Sequence, residues 1–446
     1  MKVEINIDSI YRYSDGFAKV SINIVELDIQ RDLDISFGDL YRRCGIPDST
    51  VLDFLLFSSI CYVIDKSVPR QESFDNWTRE FDVNIPVVEP DRWLAISDNL
   101  NRTISFLTGD IWKFNFSQSD IRLFRRPSGW RRRRPKYHLR RSLNAVCLFS
   151  GGLDSLVGTI NLLAENEYNS LLLMGHYDFA GPKSDQKKLF GGIWAEYPNR
   201  AVPLHIRVSH YPPKANETTL RSRSLVFIAL GIYAAKRIGN EIPLYTPENG
   251  LIALNIPLTP GRSGSCSTRT MHPFYLEQLR LNLKDLGITN PIINPFEFQT
   301  KGECIISCQN ANLLKSITDK SVSCSHATRR QNWIRKTASH CGYCVPCIIR
   351  RAALHKAGFD NGQDYGFDIC EGELTIDDQG DSAYDLRAII DFINYGYNVT
   401  DLTRIIRRVA NDPKIEEHSE LAYRGFNEIK SLFMDKGNED LKNILN

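Results

Sequence analysis

Between residues 143 and 155 the chain reads Leu-Asn-Ala-Val-Cys-Leu-Phe-Ser-Gly-Gly-Leu-Asp-Ser. A continuous apolar run such as 143–149 suits a strand buried on both faces of a sheet. The glycines at 151 and 152 end it, and apolar periodicity resuming at Ser155 predicts a helix. A strand, a glycine turn and a helix in that order make a phosphate site out of main chain. The first turn of a helix leaves amide donors without acceptors and carries partial positive charge. Gly151 and Gly152 let that backbone approach phosphate oxygens without a Cβ in the way. Ser150 and Ser155 add hydroxyl donors. Asp154 cannot face a phosphate unscreened, so it is expected to cap the helix or to hold a Mg²⁺ ion that does. There is no G-x-x-x-x-G-K-S/T pattern and no lysine in the loop, which excludes a Walker A site.

The flanking pattern is that of an α/β protein. "LLLMG" (171–175) and "LHIRV" (204–208) read as further core strands. "RSLVFIALGIYAAKRIG" (223–239) reads as a helix apolar on nearly every side, stopped by Gly239. Strands alternating with helices imply a parallel sheet with covering helices.

Four cysteines form a second signature. Cys341, Cys344 and Cys347 follow a Cys-x-x-Cys-x-x-Cys spacing, and Cys324 lies upstream. Three thiolates so spaced reach one ion, the fourth completes a tetrahedron, and four thiolates suit a closed structural Zn²⁺ site. A ferredoxin-like run would want a further cysteine where Arg351 stands. His326 and His340 are rival ligands. Gly342 and Pro346 mark a turn between the cysteines. Cys304 and Cys308, one helical turn apart, read as core residues, as do Cys44, Cys61 and Cys147.

The six residues Ser150, Gly151, Gly152, Leu153, Asp154 and Ser155 resemble the S-G-G-x-D-S PP-loop of the N-type ATP pyrophosphatases, an adenine nucleotide alpha hydrolase-like fold. That resemblance implies that these six residues bind ATP, which is cleaved between its α and β phosphates to activate an oxygen as an adenylate. A PP-loop followed by a Cys…Cys-Gly-x-Cys-x-x-Cys site resembles the QueC (7-cyano-7-deazaguanine synthase) family over about 145–360. "TKGE" (300–303), "SC" (323–324), the Cys347-Ile-Ile-Arg350 run and "AGF" (357–359) are similar to segments of that family.

Residues 1–140 and the C-terminal tail have no counterpart there. "YTPENGLIALNIPLTPGRSGSCSTRTMHP" (245–273) replaces the short Tyr-Pro-Asp segment of QueC, and Arg223-Ser224 stands where it has Arg-Asn. The longer architecture is similar to the QueC-like proteins of antiviral (anti-phage) defence clusters, of the QatC type. The resemblance implies a ligase for a 7-deazaguanine carboxylic acid (7-carboxy-7-deazaguanine type), joined to an amine of a partner protein from the same defence operon. QueC-type synthesis would instead use ammonia and end at the nitrile. Asp154, Lys301 and Arg223 are the candidate catalytic residues, and alignment plus charge neutralisation would carry the reaction. Segment 245–273 is a candidate wall of the base pocket, with Glu248 and Asn249 placed to pair with a purine-like edge. The zinc site would pin the segment closing that pocket.

Residues 1–121 read as an α+β domain of their own, a possible partner-docking unit. Alternation at 2–8 and 20–24 about "SDG" (14–16) predicts a hairpin, 49–68 a helix capped by Ser49, and Trp112, Phe114 and Phe116 a further strand. "RLFRRPSGWRRRRPKYHLRR" (122–141) carries ten Arg or Lys interleaved with aromatics. It could grip nucleic acid. However, 55 Lys plus Arg against 53 Asp plus Glu leave a net charge of only +2, and Pro127, Gly129 and Pro135 favour a linker. The α/β region is expected over 142–375 and a helical region over 376–446, with amphipathic helices at 384–396 and 401–411. No apolar signal core opens the sequence, and the longest apolar run falls short of the roughly 20 residues of a membrane span. The expectation is a cytoplasmic protein with no membrane partner, its eleven cysteines thiols or ligands rather than disulfides. Two other readings stay open: a PP-loop tRNA-modifying enzyme, and a non-catalytic nucleotide-binding assembly module.

Overall fold

The structure is a computed structural model that describes residues 1–12, 15–127, 143–166, 169–217, 219–259, 269–378 and 383–445. Ten strands form one sheet: β1 Lys2–Tyr11, β2 Ala18–Ile24, β3 Ile29–Ile35, β4 Glu80–Val87, β5 Ile111–Gln118, β6 Ala145–Leu148, β7 Leu171–Tyr177, β8 Ala201–Tyr211, β9 Leu244–Tyr245 and β10 Ile292–Ile293. Their order is β10-β9-β6-β7-β8-β3-β2-β1-β4-β5. From β10 to β8 all neighbours are parallel. β8–β3, β3–β2 and β2–β1 are antiparallel, and β1–β4–β5 are parallel again. The fold class is α/β, with a large, mostly parallel sheet flanked by helices.

β6 is buried along its whole length, as its unbroken apolar run requires. The chain leaves it towards β7 and β8, then returns to place β9 and β10 on its other side. The strand order therefore reverses between β6 and β9. In open α/β sheets such a reversal opens a crevice at the carboxyl ends of the strands, where ligands bind. The glycine loop of 150–152 follows β6 at that end.

The expected hairpin of β1 and β2 forms, with an irregularity in register between Asp8 and Tyr11. The expected boundary between 1–121 and the α/β region is crossed by the sheet itself, through β3 on β8 (Asp32 opposite Tyr211, Ile35 opposite Val208). It is crossed by the core too. Helix Ser49–Ser67 is buried on nearly every side and belongs to one apolar cluster with helix Arg223–Ile238. Tyr233 of the latter meets Phe37 edge-on at 6.1 Å. The cap of helix Ser49–Ser67 is Asp48 rather than Ser49: its Oδ1 accepts from the Val51 N–H at 3.0 Å. At the start of the basic segment Phe124 packs on Phe37 and Tyr41. Residues 128–142, which hold most of its charge, lie outside the described residues.

The C-terminal helices Tyr384–Tyr395, Val399–Val409, Ile415–Lys436 and Glu439–Leu445 share a second core with helix Val345–Lys356 and the cysteine segment. Among the described residues no helix is long and apolar enough to cross a membrane.

Candidate functional site

The loop after β6 turns on Gly151, whose φ of +91° is a conformation that side chains rarely adopt. The helix begins at Leu153, two residues before the expected Ser155, and has no side-chain cap. Its first-turn amides at Asp154 and Ser155 therefore have no helical acceptor. The hydroxyls interlock: Ser150 Oγ accepts from the Gly152 N–H at 3.2 Å and donates to Ser155 Oγ at 3.3 Å, while Ser155 Oγ donates to the Gly152 carbonyl at 2.9 Å.

Asp154 neither caps the helix nor stands open for a cation. Its Oδ1 lies 2.6 Å from the Lys301 ammonium, and its Oδ2 accepts from Asn249 Nδ2 at 2.8 Å and from the Asn249 N–H at 3.3 Å. Burial alone would raise this carboxyl, but Lys301 and Asn249 outweigh it and hold Asp154 below its usual range. Both carboxylate oxygens are engaged, so the residues present do not offer Mg²⁺ the expected ligand. Asn249 is not free to read a purine edge either, because its Oδ1 caps helix Gly250–Leu254 by accepting from the Ile252 N–H at 3.2 Å. Glu248 faces Asp154 instead. Burial first, then the charge of Asp154, pushes its carboxyl up to about 8, so it keeps its proton near neutrality.

Lys301 is placed by a capping box. Thr300 accepts from the Glu303 N–H at 3.1 Å, and Glu303 reaches back to the Thr300 N–H at 2.9 Å. Glu428, on helix Ile415–Lys436, secures the same turn. It takes hydrogen bonds from the Thr300 hydroxyl, from the Gly302 N–H at 3.2 Å and from Lys356 Nζ at 2.8 Å. The C-terminal region thus fixes Lys301, the cation paired with Asp154, a relation the sequence gives no sign of.

Arg223 stands farther off. Its Nε donates to His176 Nδ1 at 3.3 Å and its Nη2 to the His176 carbonyl at 3.2 Å. Burial and the guanidinium push His176 down to about 3, so the ring is neutral, with Nε2–H facing the Val208 carbonyl at 3.2 Å. Gln186, fully buried, links this place to the loop by donating to the carbonyls of both His176 and Ser150 at 3.3 Å. Its own oxygen accepts from His205 Nδ1 at 2.8 Å. Residues 1–121 also reach here. Asp178, just past β7, receives Lys66 Nζ at 2.5 Å and the Tyr62 hydroxyl at 2.8 Å. Burial would raise Asp178, but these two donors, Lys66 above all, hold it at about 2.

The segment before the first site cysteine closes over the loop. The Val322 N–H donates to the Gly151 carbonyl at 2.9 Å, and the Leu153 N–H to Ser323 Oγ at 3.4 Å. One residue on, Cys324 joins Cys341, Cys344 and Cys347 with all four sulfurs within 4.8 Å of one another. Tetrahedral Zn–S bonds of 2.3 Å put sulfurs about 3.8 Å apart; Cys341 and Cys347 stand at 3.7 Å. Cys324 Sγ accepts from the N–H groups of Cys341 and His326, and Cys341 Sγ from that of Cys344, each at 3.3 Å. Gly342 makes the turn at φ +94°, where a Cβ would stand 2.1 Å from the Phe367 carbonyl. The four cysteines could hold a metal ion such as zinc. Neither His326 nor His340 joins the group; His340 Nε2 instead accepts from the Ser323 N–H at 3.4 Å. Cys44, Cys61, Cys147, Cys304 and Cys308 are buried core thiols, as expected.

Comparison of the chain with protein-family models, with curated proteins and with solved structures finds no match.

Proposed function

We propose that this chain is an ATP-dependent adenylating C–N ligase that activates a 7-deazaguanine carboxylic acid and transfers it to an amine of a partner protein in an antiviral defence system. One observation carries the proposal: an S-G-G-x-D-S loop sits where the strand order reverses, with first-turn amides free beside two serine hydroxyls. Donors for the triphosphate are the N–H groups of Gly151, Gly152 and Ser155 and the hydroxyls of Ser150 and Ser155. Gly152 and the serines exchange their internal hydrogen bonds for phosphate oxygens. A carboxylate oxygen of the acid attacks the α phosphorus, the bond to the β phosphate breaks, and pyrophosphate leaves. The amine then attacks the acyl carbon, an amide forms, AMP leaves and the amine gives up a proton.

In this reading Lys301 is a positioning residue. It neutralises Asp154 and, with Asn249, braces the start of the helix whose amides meet the phosphates. Arg223 has no carboxylate partner among the described residues and lies one amide side chain from Ser150, which suits it to the departing pyrophosphate. Zinc held by the four cysteines would fix Val322 and Ser323 against the loop.

The test is to incubate the protein with ATP and 7-carboxy-7-deazaguanine, with and without the proteins of its operon, and to read AMP, pyrophosphate and intact masses. AMP release that depends on the acid, with the mass of a deazaguanine acyl group on a partner protein, is the expected result. Free nitrile made from ammonia would move the reading to QueC-type synthesis. Absence of AMP under every condition would overturn both.

A further inference from the structure

Helix Val345–Lys356 carries two neighbouring arginines, Arg350 and Arg351, both almost completely buried. Arg351 is neutralised by two carboxylates, with Asp368 Oδ1 at 2.6 Å from its Nη1 and Asp360 Oδ2 at 3.1 Å from its Nε. Arg350 meets neutral acceptors only: its Nη1 donates to the Ser321 hydroxyl at 2.8 Å and its Nη2 to the Thr318 carbonyl at 2.9 Å. Among the described residues no carboxylate pairs with it. A guanidinium keeps its charge and has five N–H groups, so two such bonds leave donors over. Buried charges in folded proteins are paired, because an uncompensated one is costly. The contrast between the two arginines points to a counter-charge that enters from outside the chain.

Arg350 lines a cavity of about 420 Å³, within the size range of small-molecule sites. Leu354, Phe359 and the buried Tyr365 give the lining an apolar part. The exposed Lys315, Asp319 and Asp364 add charges around it, and Arg350 and Lys315 balance the two acids. One negative charge is therefore admitted more readily than the two of a phosphate, and its place is at the buried cation rather than beside the acids. A planar carboxylate matches the edge of a guanidinium, where parallel N–H···O bonds form. The apolar residues suit a hydrocarbon body behind that carboxylate.

This cavity is not the nucleotide crevice. None of its lining residues belongs to the glycine loop or bonds Asp154. The two places meet at a short segment: Ser321 Oγ accepts from Arg350, and the next residue, Val322, donates its N–H to the Gly151 carbonyl at 2.9 Å.

We propose that this cavity is a second ligand site, which binds a small monocarboxylate with an apolar body, its carboxylate on Arg350. The assignment holds whatever the glycine loop binds. The test is calorimetry on the full chain with three probes: 3-phenylpropionate, its uncharged amide and inorganic phosphate. Two variants accompany the wild type: Arg350→Met, which removes the cation, and Ser339→Trp, which fills the space from another wall and leaves Arg350 in place. A cooperative thermal transition is the folding control, so that a failure of Arg350→Met to fold leaves the second variant to decide. The expected result is that the wild type binds 3-phenylpropionate at least tenfold more tightly than the amide or phosphate, that saturating ATP does not displace it, and that each folded variant binds it at least tenfold more weakly. No binding by the wild type, undiminished binding in a folded variant, or displacement by ATP would overturn the assignment. Tighter binding of phosphate would overturn the choice of a carboxylate. Loss of zinc from Arg350→Met with probe binding kept would make Arg350 the counter-charge of the four thiolates and equally overturn it.

Discussion

The Lys301 ammonium lies 2.6 Å from Oδ1 of Asp154, and both side chains are buried, although 147 residues separate them in sequence. Removing one member of a buried pair strands the other as an uncompensated charge, at about 3–5 kcal/mol. Lys301→Met should therefore lower unfolding stability in urea by about that amount. Asp154 is held below its ordinary value of 3.8, so its contribution is complete above that pH and lost as the pH falls further. In a Glu248→Gln background, which removes the titration of the neighbouring carboxyl, the destabilisation caused by Asp154→Asn should accordingly be flat between about pH 5 and 8 and shrink in acid below about pH 4. A penalty that instead grows in acid would show that the carboxylate is not charged in the native state.

Glu248 works in the opposite sense. Its carboxyl is pushed from an ordinary 4.5 up to about 8 by burial and by Asp154, so the native state holds a proton that the unfolded state gives up. Stability should thus fall as the pH rises from 4.5 to 8, and level off above. Glu248→Gln keeps the shape and removes the titration. At pH 8 it should be more stable than the wild type by about 2 kcal/mol, less than the full 1.36 kcal/mol per pH unit because the side chain is partly exposed. The two proteins should converge near pH 4.5. Equal pH profiles would place the Glu248 carboxyl in water.

Cys324 is one residue from Ser323, and Ser323 touches the loop. Metal analysis of the purified protein should find one zinc per chain, and Cys344→Ser should lose most of it. Zinc removal by a chelator should weaken ATP binding by about tenfold, the worth of one or two lost hydrogen bonds. Asp154→Ala, which leaves the cysteines untouched, should abolish AMP release and keep its zinc. Loss of zinc in that variant would mean that the two sites fold as one.

What could be read from the sequence was local. The strand at β6, the glycine turn and the cysteine spacing each declare themselves within a few residues, because an unbroken apolar run, a glycine pair and thiol spacing are short-range patterns. Helix Ser49–Ser67 was legible as a helix, but not its burial on nearly every side, part of whose cover comes from Arg223–Ile238, far along the chain. The partners of Asp154 were equally hidden. Asn249 looked like a base reader because nothing local shows that its amide is spent on an aspartate 95 residues away. Gln186 carried no signal at all, being an ordinary polar residue until the fold sets it between the Ser150 and His176 carbonyls.

The N-terminal region should not be separable. β3 pairs with β8, and the cluster that contains Ile22 and Phe57 also contains Ile228 and Tyr233. Removing residues 1–121 would expose the edge of β8 and one face of helix Arg223–Ile238, a large apolar surface of the kind that drives aggregation. A 142–446 fragment should be insoluble or lack a cooperative thermal transition by circular dichroism. A fragment that is soluble, melts cooperatively and binds ATP would establish two independent domains.

The last prediction concerns how Arg223 is held. Arg79 is completely buried between two carboxylates, Asp65 at 2.5 Å and Asp110 at 2.6 Å, and Arg70 joins Asp110 at 2.9 Å. The second oxygen of Asp65 accepts from the Ser222 hydroxyl at 2.6 Å and the Ser222 N–H at 3.3 Å, directly before the helix that begins with Arg223. Asp65 therefore brings negative charge to that helix N-terminus, where the dipole favours it, while neutralising Arg79. Asp65→Asn keeps the size and one acceptor oxygen but withdraws the charge from both. It should cost less in urea unfolding than the about 3–5 kcal/mol of a fully unpaired buried charge, because Asp110 still holds Arg79. At temperatures where the variant stays folded, it should also slow AMP formation more than Asp110→Asn, which disturbs the same guanidinium without touching Ser222. Equal rates for the two variants would show that Asp65 serves stability alone and that Arg223 is positioned by His176 without its help.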